Sequence, residues 1–226
     1  MTEPQVPNAS AEEILRAALE LFSKQGYGAT TMRQIAEKAR TSLGNVYHHF
    51  KNKEQIFSTL LDRYFQLLLD PQLPLNRVFA QAKFPDDLEE LAAAIEEVVD
   101  RHGREIMLIY IDVIEFGGKH VHWFYETMAE RFHRLYQQPL HERQERGELG
   151  NVNPVFAVML AVRWLFYFFT VEKYFGVPMH LGMDPQQAVQ EFIHLLRCGL
   201  LPRGEPCPPT LKGSQQHQSS GRREGS

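Results

Sequence analysis

Two cysteines stand among 226 residues, Cys198 and Cys207, both toward the C-terminus. They are too few to frame a small disulfide-built domain, so a hydrophobic core must hold this chain. No stretch alternates apolar and polar residues long enough to build a sheet, and no internal repeat is visible, which excludes sandwiches, barrels and solenoids. Positive charge is not in surplus: 24 Lys+Arg stand against 28 Asp+Glu, a net −4, which argues against coating nucleic acid by bulk charge. No signal or transit pattern opens the chain, and the expected location is cytoplasmic. Nor is there a nucleophile, base or metal constellation, so the chain is not expected to be an enzyme. His120, His122, His133 and His141 come nearest to a metal set. His120 and His122, two apart, point to different faces of a helix, and neither a metal nor a cofactor is expected.

Long apolar runs are nearly missing as well. The one run of note, VFAVMLAVRWLFYFFTV from Val155 to Val171, carries Arg163 at its centre. It is at the short limit for a membrane span, and a central charge costs about 2.5–3.5 kcal/mol on insertion scales. We therefore expect no membrane and a buried helix. A helix apolar all round must be covered on all sides, by its own core and a second subunit or by its own subunit alone. On the first reading Val158 is a position facing the second subunit.

What is present is concentrated between Thr30 and Lys53, TTMRQIAEKARTSLGNVYHHFKNK. Thr31 and Gln34 form a capping-box pattern that opens a helix with Met32, Ile35, Ala36 and Ala39 on one face. Ser42 caps a second helix of about two turns that ends before Phe50, a core residue. Its outer face is expected to carry Leu43, Gly44, Asn45, Tyr47 and His48. Two turns bury too little to be stable alone, so neighbours must hold this helix, leaving its outer face free for a major groove. From Lys24 to Lys53, Lys24, Arg33, Lys38, Arg40, Lys51 and Lys53 stand against Glu37 alone, a local basic patch in an otherwise acidic chain.

The flanking sequence is helical in both directions. Ser10 with Glu13 is another capping box, before a stripe of Ile14, Leu15, Ala18, Leu21 and Phe22 that stops at Gly26. Asn52 with Gln55 opens a fourth helix running to Leu69, with Pro71 and Pro74 as its stop. Further helices are predicted over 86–102, 104–116, 120–147 (kinked or interrupted at Pro139), 154–175 and 184–199. The expected fold is all-α with about nine helices. Residues 202–226 are rich in Pro, Gly, Ser, Gln and charge and read as a disordered tail, with Arg222 and Arg223 in a solvated end.

Four linked submotifs then carry a family resemblance: AAxxLFxxxGY at Ala17–Tyr27, TTMRQIA at Thr30–Ala36, GNVYHHF at Gly44–Phe50 and KNKE at Lys51–Glu54. Together, Ile14 to Leu61 resembles the DNA-binding domain of the tetracycline-repressor (TetR) family of bacterial transcriptional regulators. The resemblance implies an N-terminal three-helix helix-turn-helix domain over 10–53 and a C-terminal helical ligand-binding and dimerisation domain over 54–201, while residues 1–9, similar in character to the tail, read as a short flexible arm. Helix 52–69 would link the two, and helices 154–175 and 184–199 would form a homodimer interface. By position, Ser42, Leu43, Gly44 and Asn45 match base-edge readers, with Asn45 toward adenine and Leu43 toward a thymine methyl. Tyr47, His49 and Lys53 match phosphate contacts, and Thr31 and Arg33 match residues reaching backbone or a base edge. Thr41 and His48 lie close to the DNA, their contact left open.

For an effector the sequence offers large apolar residues, which are more often plain core: Phe65, Tyr110, Trp123, Phe124, Met128, Phe132, Met159, Phe166 and Tyr167. Arg163 could face a ligand carboxylate or phosphate, or pair internally with Glu115 or Glu126; the internal pair is the preferred expectation. The functional expectation is a repressor that binds a palindromic double-stranded operator as a dimer and leaves it when a small apolar effector binds. An activator, or a regulator that senses another protein, stays open on the same scaffold.

Overall fold

The computed structural model describes residues 9–200. The tail expected from 202 onward, and all of the expected N-terminal arm except Ala9, lie outside the described residues. Ala9 itself is buried. Among the described residues every regular element is a helix: α1 (Ala11–Gln25), α2 (Met32–Lys38), α3 (Leu43–His49), α4 (Lys53–Leu69), α5 (Pro74–Gln81), α6 (Leu88–Phe116), α7 (His122–Glu145), α8 (Pro154–Tyr174) and α9 (Pro185–Leu200).

The first three helices pack on one another, and α1 packs on α4. Their starts are set locally. The Ser10–Glu13 and Thr31–Gln34 capping boxes are both closed, and the Ser42 and Asn52 side chains accept the N–H groups of Asn45 and Gln55. Such a cap contributes about 1 kcal/mol, which matters for α2 and α3 at seven residues each. Packing does the rest. Ile14, Phe22, Ile35, Val46, Ile56 and Phe57 are all at 0 % exposure, and each such side chain gains about 1.5–3 kcal/mol on burial.

Beyond α4 the chain departs from the expected boundaries in three places. Pro74 does not merely stop α4; it occupies the first turn of α5, where its missing N–H costs nothing. The break expected at Gly103 is instead a kink at His102 (φ −125°, ψ 25°) inside one continuous α6. A Cβ at Gly103 would lie 1.7 Å from the Tyr174 ring, whose hydroxyl donates to the Asp100 carbonyl at 3.3 Å. The glycine thus makes room for a ring from α8 and does not terminate the helix. Pro139 sits within an uninterrupted α7.

The apolar helix α8 packs against α6, α7 and α9. By length and composition alone it could cross a membrane, yet more than half of it is buried inside the fold. Its faces differ. Val158 is fully buried in its own subunit, which corrects the expectation that it faces a second one, whereas Phe156, Leu160 and Tyr167 are exposed at helical spacing. Leu195 on α9, at 68 %, is exposed too.

Candidate nucleic-acid interface and apolar cavity

The α3 helix presents Ser42, Leu43, Gly44, Tyr47, His48 and His49 to solvent, and Thr31 and Arg33 at the start of α2 are exposed beside it. Two large apolar side chains on that face, Leu43 at 40 % and Tyr47 at 52 %, have no core to enter. Arg40 and Lys51, at either end of α3, are exposed cations that the site expectations had passed over. Their signal was present in the local charge surplus. Arg40 holds the left-handed φ of 55° at the turn between α2 and α3.

Three expected DNA contacts are placed elsewhere. Asn45 is 7 % exposed; its Nδ2 donates to the Ala9 carbonyl at 2.8 Å and to Thr41 Oγ1 at 3.0 Å. On a seven-residue helix, Asn45 and Val46 form the inward face, and the amide satisfies buried groups instead of facing a base. Thr41 is buried with it, accepting also from the Ala9 N–H at 3.3 Å. Lys53 turns inward: Nζ donates to the carbonyls of Tyr27 and Thr30 at 2.6 and 2.7 Å and lies 4.0 Å from the Tyr27 ring centroid. Desolvation lowers its pKa from the usual lysine value. The basic patch is also partly neutralised, Lys38 by Glu20 and Arg33 by Glu37 at 3.4 Å.

The turn between α1 and α2 is gripped from below. Glu115, near the end of α6, accepts the N–H groups of Tyr27 at 2.9 Å and Gly28 at 2.6 Å. The Tyr27, Phe57 and Phe116 rings meet at centroid distances of 4.6 to 5.4 Å. Gly26 there has φ 84°, a conformation that glycine takes at no steric cost. Beside it, buried Asp112 accepts the backbone N–H groups of His120 and Val121 and lies 2.6 Å from His120 Nδ1. Glu54 on α4 accepts from Lys119 at 2.7 Å, which holds its carboxyl below the usual range. The end of α6 therefore ties α1 and α4 to the rest of the fold.

A cavity of about 430 Å³ opens between α4, α5, α6, α7 and α8, within the range of small-molecule sites. Of the residues expected there, Tyr110, Phe124, Met128, Phe132, Met159, Arg163, Phe166 and Tyr167 line it. Phe65 and Trp123 do not. Phe65 is wholly buried, stacked on Phe124 at 4.1 Å, and Trp123 meets it edge-on at 5.5 Å, so both back the wall. The preferred Arg163 ion pair is not formed. Glu115 is engaged at the α1–α2 turn and Glu126 pairs with His122 at 3.5 Å, while Arg163 lies 5.4 Å from the Tyr125 ring centroid. Among the described residues no group of His, Cys, Asp and Glu is arranged to hold a metal ion.

Residues 14–60 match the family described as "Bacterial regulatory proteins, tetR family". The chain is 32% identical over 117 residues to the HTH-type transcriptional repressor KstR2 of Mycolicibacterium smegmatis, covering 48% of this chain and 52% of that protein. It spans about half the length of the first curated relatives it matches. Among solved structures it is similar to the MbdR regulator from Azoarcus sp. CIB, at TM-score 0.62 and 21% identity, covering 85% of this chain and 100% of that one. It is also similar to AibR in complex with isovaleryl coenzyme A and operator DNA, at TM-score 0.55 and 19% identity, covering 82% and 96%. At these identities the structural likeness carries the fold alone.

Proposed function

The chain belongs to the tetR family of bacterial regulatory proteins, and on that premise we propose that it is a dimeric transcriptional repressor that binds an operator and is released by a small molecule. Residues 10–53 are the reading head, 54–201 the sensing and dimerisation body, and α4 the rod between them. The reading surface is Leu43, Gly44, Tyr47 and His48, with Arg40, His49 and Lys51 toward phosphates. KstR2 is named a repressor, and AibR has been solved in complex with isovaleryl coenzyme A and operator DNA. Both support the reading. The exposed Phe156, Leu160 and Leu195, none of which lines the cavity, supply an apolar surface for a second copy.

The observation that carries this proposal is the shared use of α4 and α6. Tyr64 and Leu68 on α4 and Ile106, Tyr110 and Val113 on α6 line the cavity. The same two helices hold the reading head, α4 by continuity and α6 through Glu115 and Phe116. A ligand that shifts either one changes the separation of the two heads. A thousandfold loss of operator affinity requires about 4 kcal/mol of differential ligand binding between the two arrangements. The test is a reporter driven by the DNA flanking this chain's own gene. Deleting the gene should raise expression; a fall would point to an activator, and no change would remove the regulatory assignment for that DNA.

A further inference from the structure

Arg163 is the only charged side chain lining the cavity, and none of the ion pairs among the described residues includes it. It is exposed, as are Val113, Ile114, Tyr125 and Tyr167, which line the cavity with it. These residues form the mouth. The far end, at Leu75, Phe79, Phe124 and Phe132, is buried and hydrocarbon-lined. The cavity thus has direction: a solvated guanidinium at its opening and a dry interior. No acidic residue lines it to favour a cationic ligand.

Building on the effector reading above, we propose that the cavity selects an amphipathic carboxylate, its ionised carboxyl group held by Arg163 and its apolar body running inward. A guanidinium fork matches a carboxylate in two parallel hydrogen bonds. A single cation balances a monoanion, whereas a phosphate dianion would keep an unmatched charge against an apolar wall. Size sets the body. At about 30 Å³ for each water-sized group, 430 Å³ holds roughly fourteen, a medium-chain or aryl-alkyl acid.

The test compares three ligands of one chain length, decanoate, 1-decanol and decylamine, by calorimetry on the full-length protein at pH 7.5. Decanoate should bind ten- to hundredfold more tightly than either neutral or cationic analogue. Arg163→Leu should keep the decanol affinity and lose the decanoate advantage, while Arg163→Lys retains part of it; unchanged circular dichroism and gel-filtration profiles establish that the variants fold and assemble as the parent does. Equal affinity for decanoate and decanol, or an advantage that survives Arg163→Leu, would overturn the head-group assignment. Selective decanoate binding that leaves operator DNA bound would sink the regulatory reading and uphold this one. If none of the three binds, the cavity is not a ligand site for this class and the proposal fails with it.

Discussion

Replacing Glu115 by alanine cuts a direct tie between the cavity-lining helix and the reading head. The carboxylate accepts two backbone N–H groups, from Tyr27 at 2.9 Å and Gly28 at 2.6 Å. Hydrogen bonds to a charged group contribute about 1.5–3 kcal/mol when sheltered. Glu115 is exposed, so solvent screening brings each to about 1 kcal/mol and the pair to about 2 kcal/mol. The Phe116 ring still packs on Tyr27 at 4.6 Å, so the variant should fold, with the turn held more loosely. Urea denaturation should show the 2 kcal/mol loss. Fluorescence anisotropy of labelled operator, with and without saturating effector, reads the coupling. If α6 transmits through this carboxylate, a thousandfold release should fall to roughly thirtyfold, because about 2 of the required 4 kcal/mol is gone. A variant that loses the stability yet keeps the full release would refute the reasoning and leave α4 as the sole route.

Asn45→Ala leaves the buried Ala9 carbonyl without its donor and removes one of the two donors to the Thr41 hydroxyl, so it should cost about 1–3 kcal/mol of stability in a denaturation series; a loss confined to operator over random DNA would return Asn45 to the reading surface. A Cβ at Gly44 meets only Ser42 Oγ, at 3.9 Å, so Gly44→Ala should raise stability by about 0.5–1 kcal/mol and still weaken operator binding in anisotropy if the backbone approaches DNA there; unchanged affinity would place that backbone away from the groove. Leu160→Asp, on an exposed face of α8, should yield monomers in sedimentation at low micromolar concentration, and a variant that stays dimeric would move the interface. Desolvation raises the Asp87 carboxyl above its usual 3.8, and its Oδ2 lacks a hydrogen-bond partner. The folded state therefore holds that proton more tightly, and stability rises as pH falls through the raised folded value toward 3.8. Asp87→Asn should stabilise the protein by about 1 kcal/mol at pH 7, with the advantage shrinking on acidification in thermal melts; a constant advantage across pH would show that charge is not its cause.

The legible parts of this chain were those fixed within a few residues. Capping boxes at Ser10 and Thr31 and the caps at Ser42 and Asn52 were visible because a side chain and the N–H it serves are three positions apart. The tetR-type head was legible for the same reason. What failed depended on distant partners. Gly103 read as a stop because nothing local announces Tyr174, seventy residues away in sequence, filling the space. Asn45 read as outward because polarity usually does, and its buried acceptor, the Ala9 carbonyl, lies across the fold. Arg163 was given an internal partner, although Glu115 is held by two backbone amides of the α1–α2 turn. The cavity was found in most of its members because large apolar residues at helical spacing must face something; whether that is a void or a neighbour, as for Phe65 and Trp123, only packing decides.

Sequence-specific DNA recognition is the central claim, and an equilibrium titration tests it most directly. The full-length protein is titrated at about 0.15 M salt against a labelled duplex from the DNA flanking its gene and against a scrambled duplex of the same composition. The account predicts an affinity ratio of about a thousandfold or more, reduced by Tyr47→Ala on the flanking duplex. A ratio near one, at any protein concentration that saturates both duplexes, would contradict it.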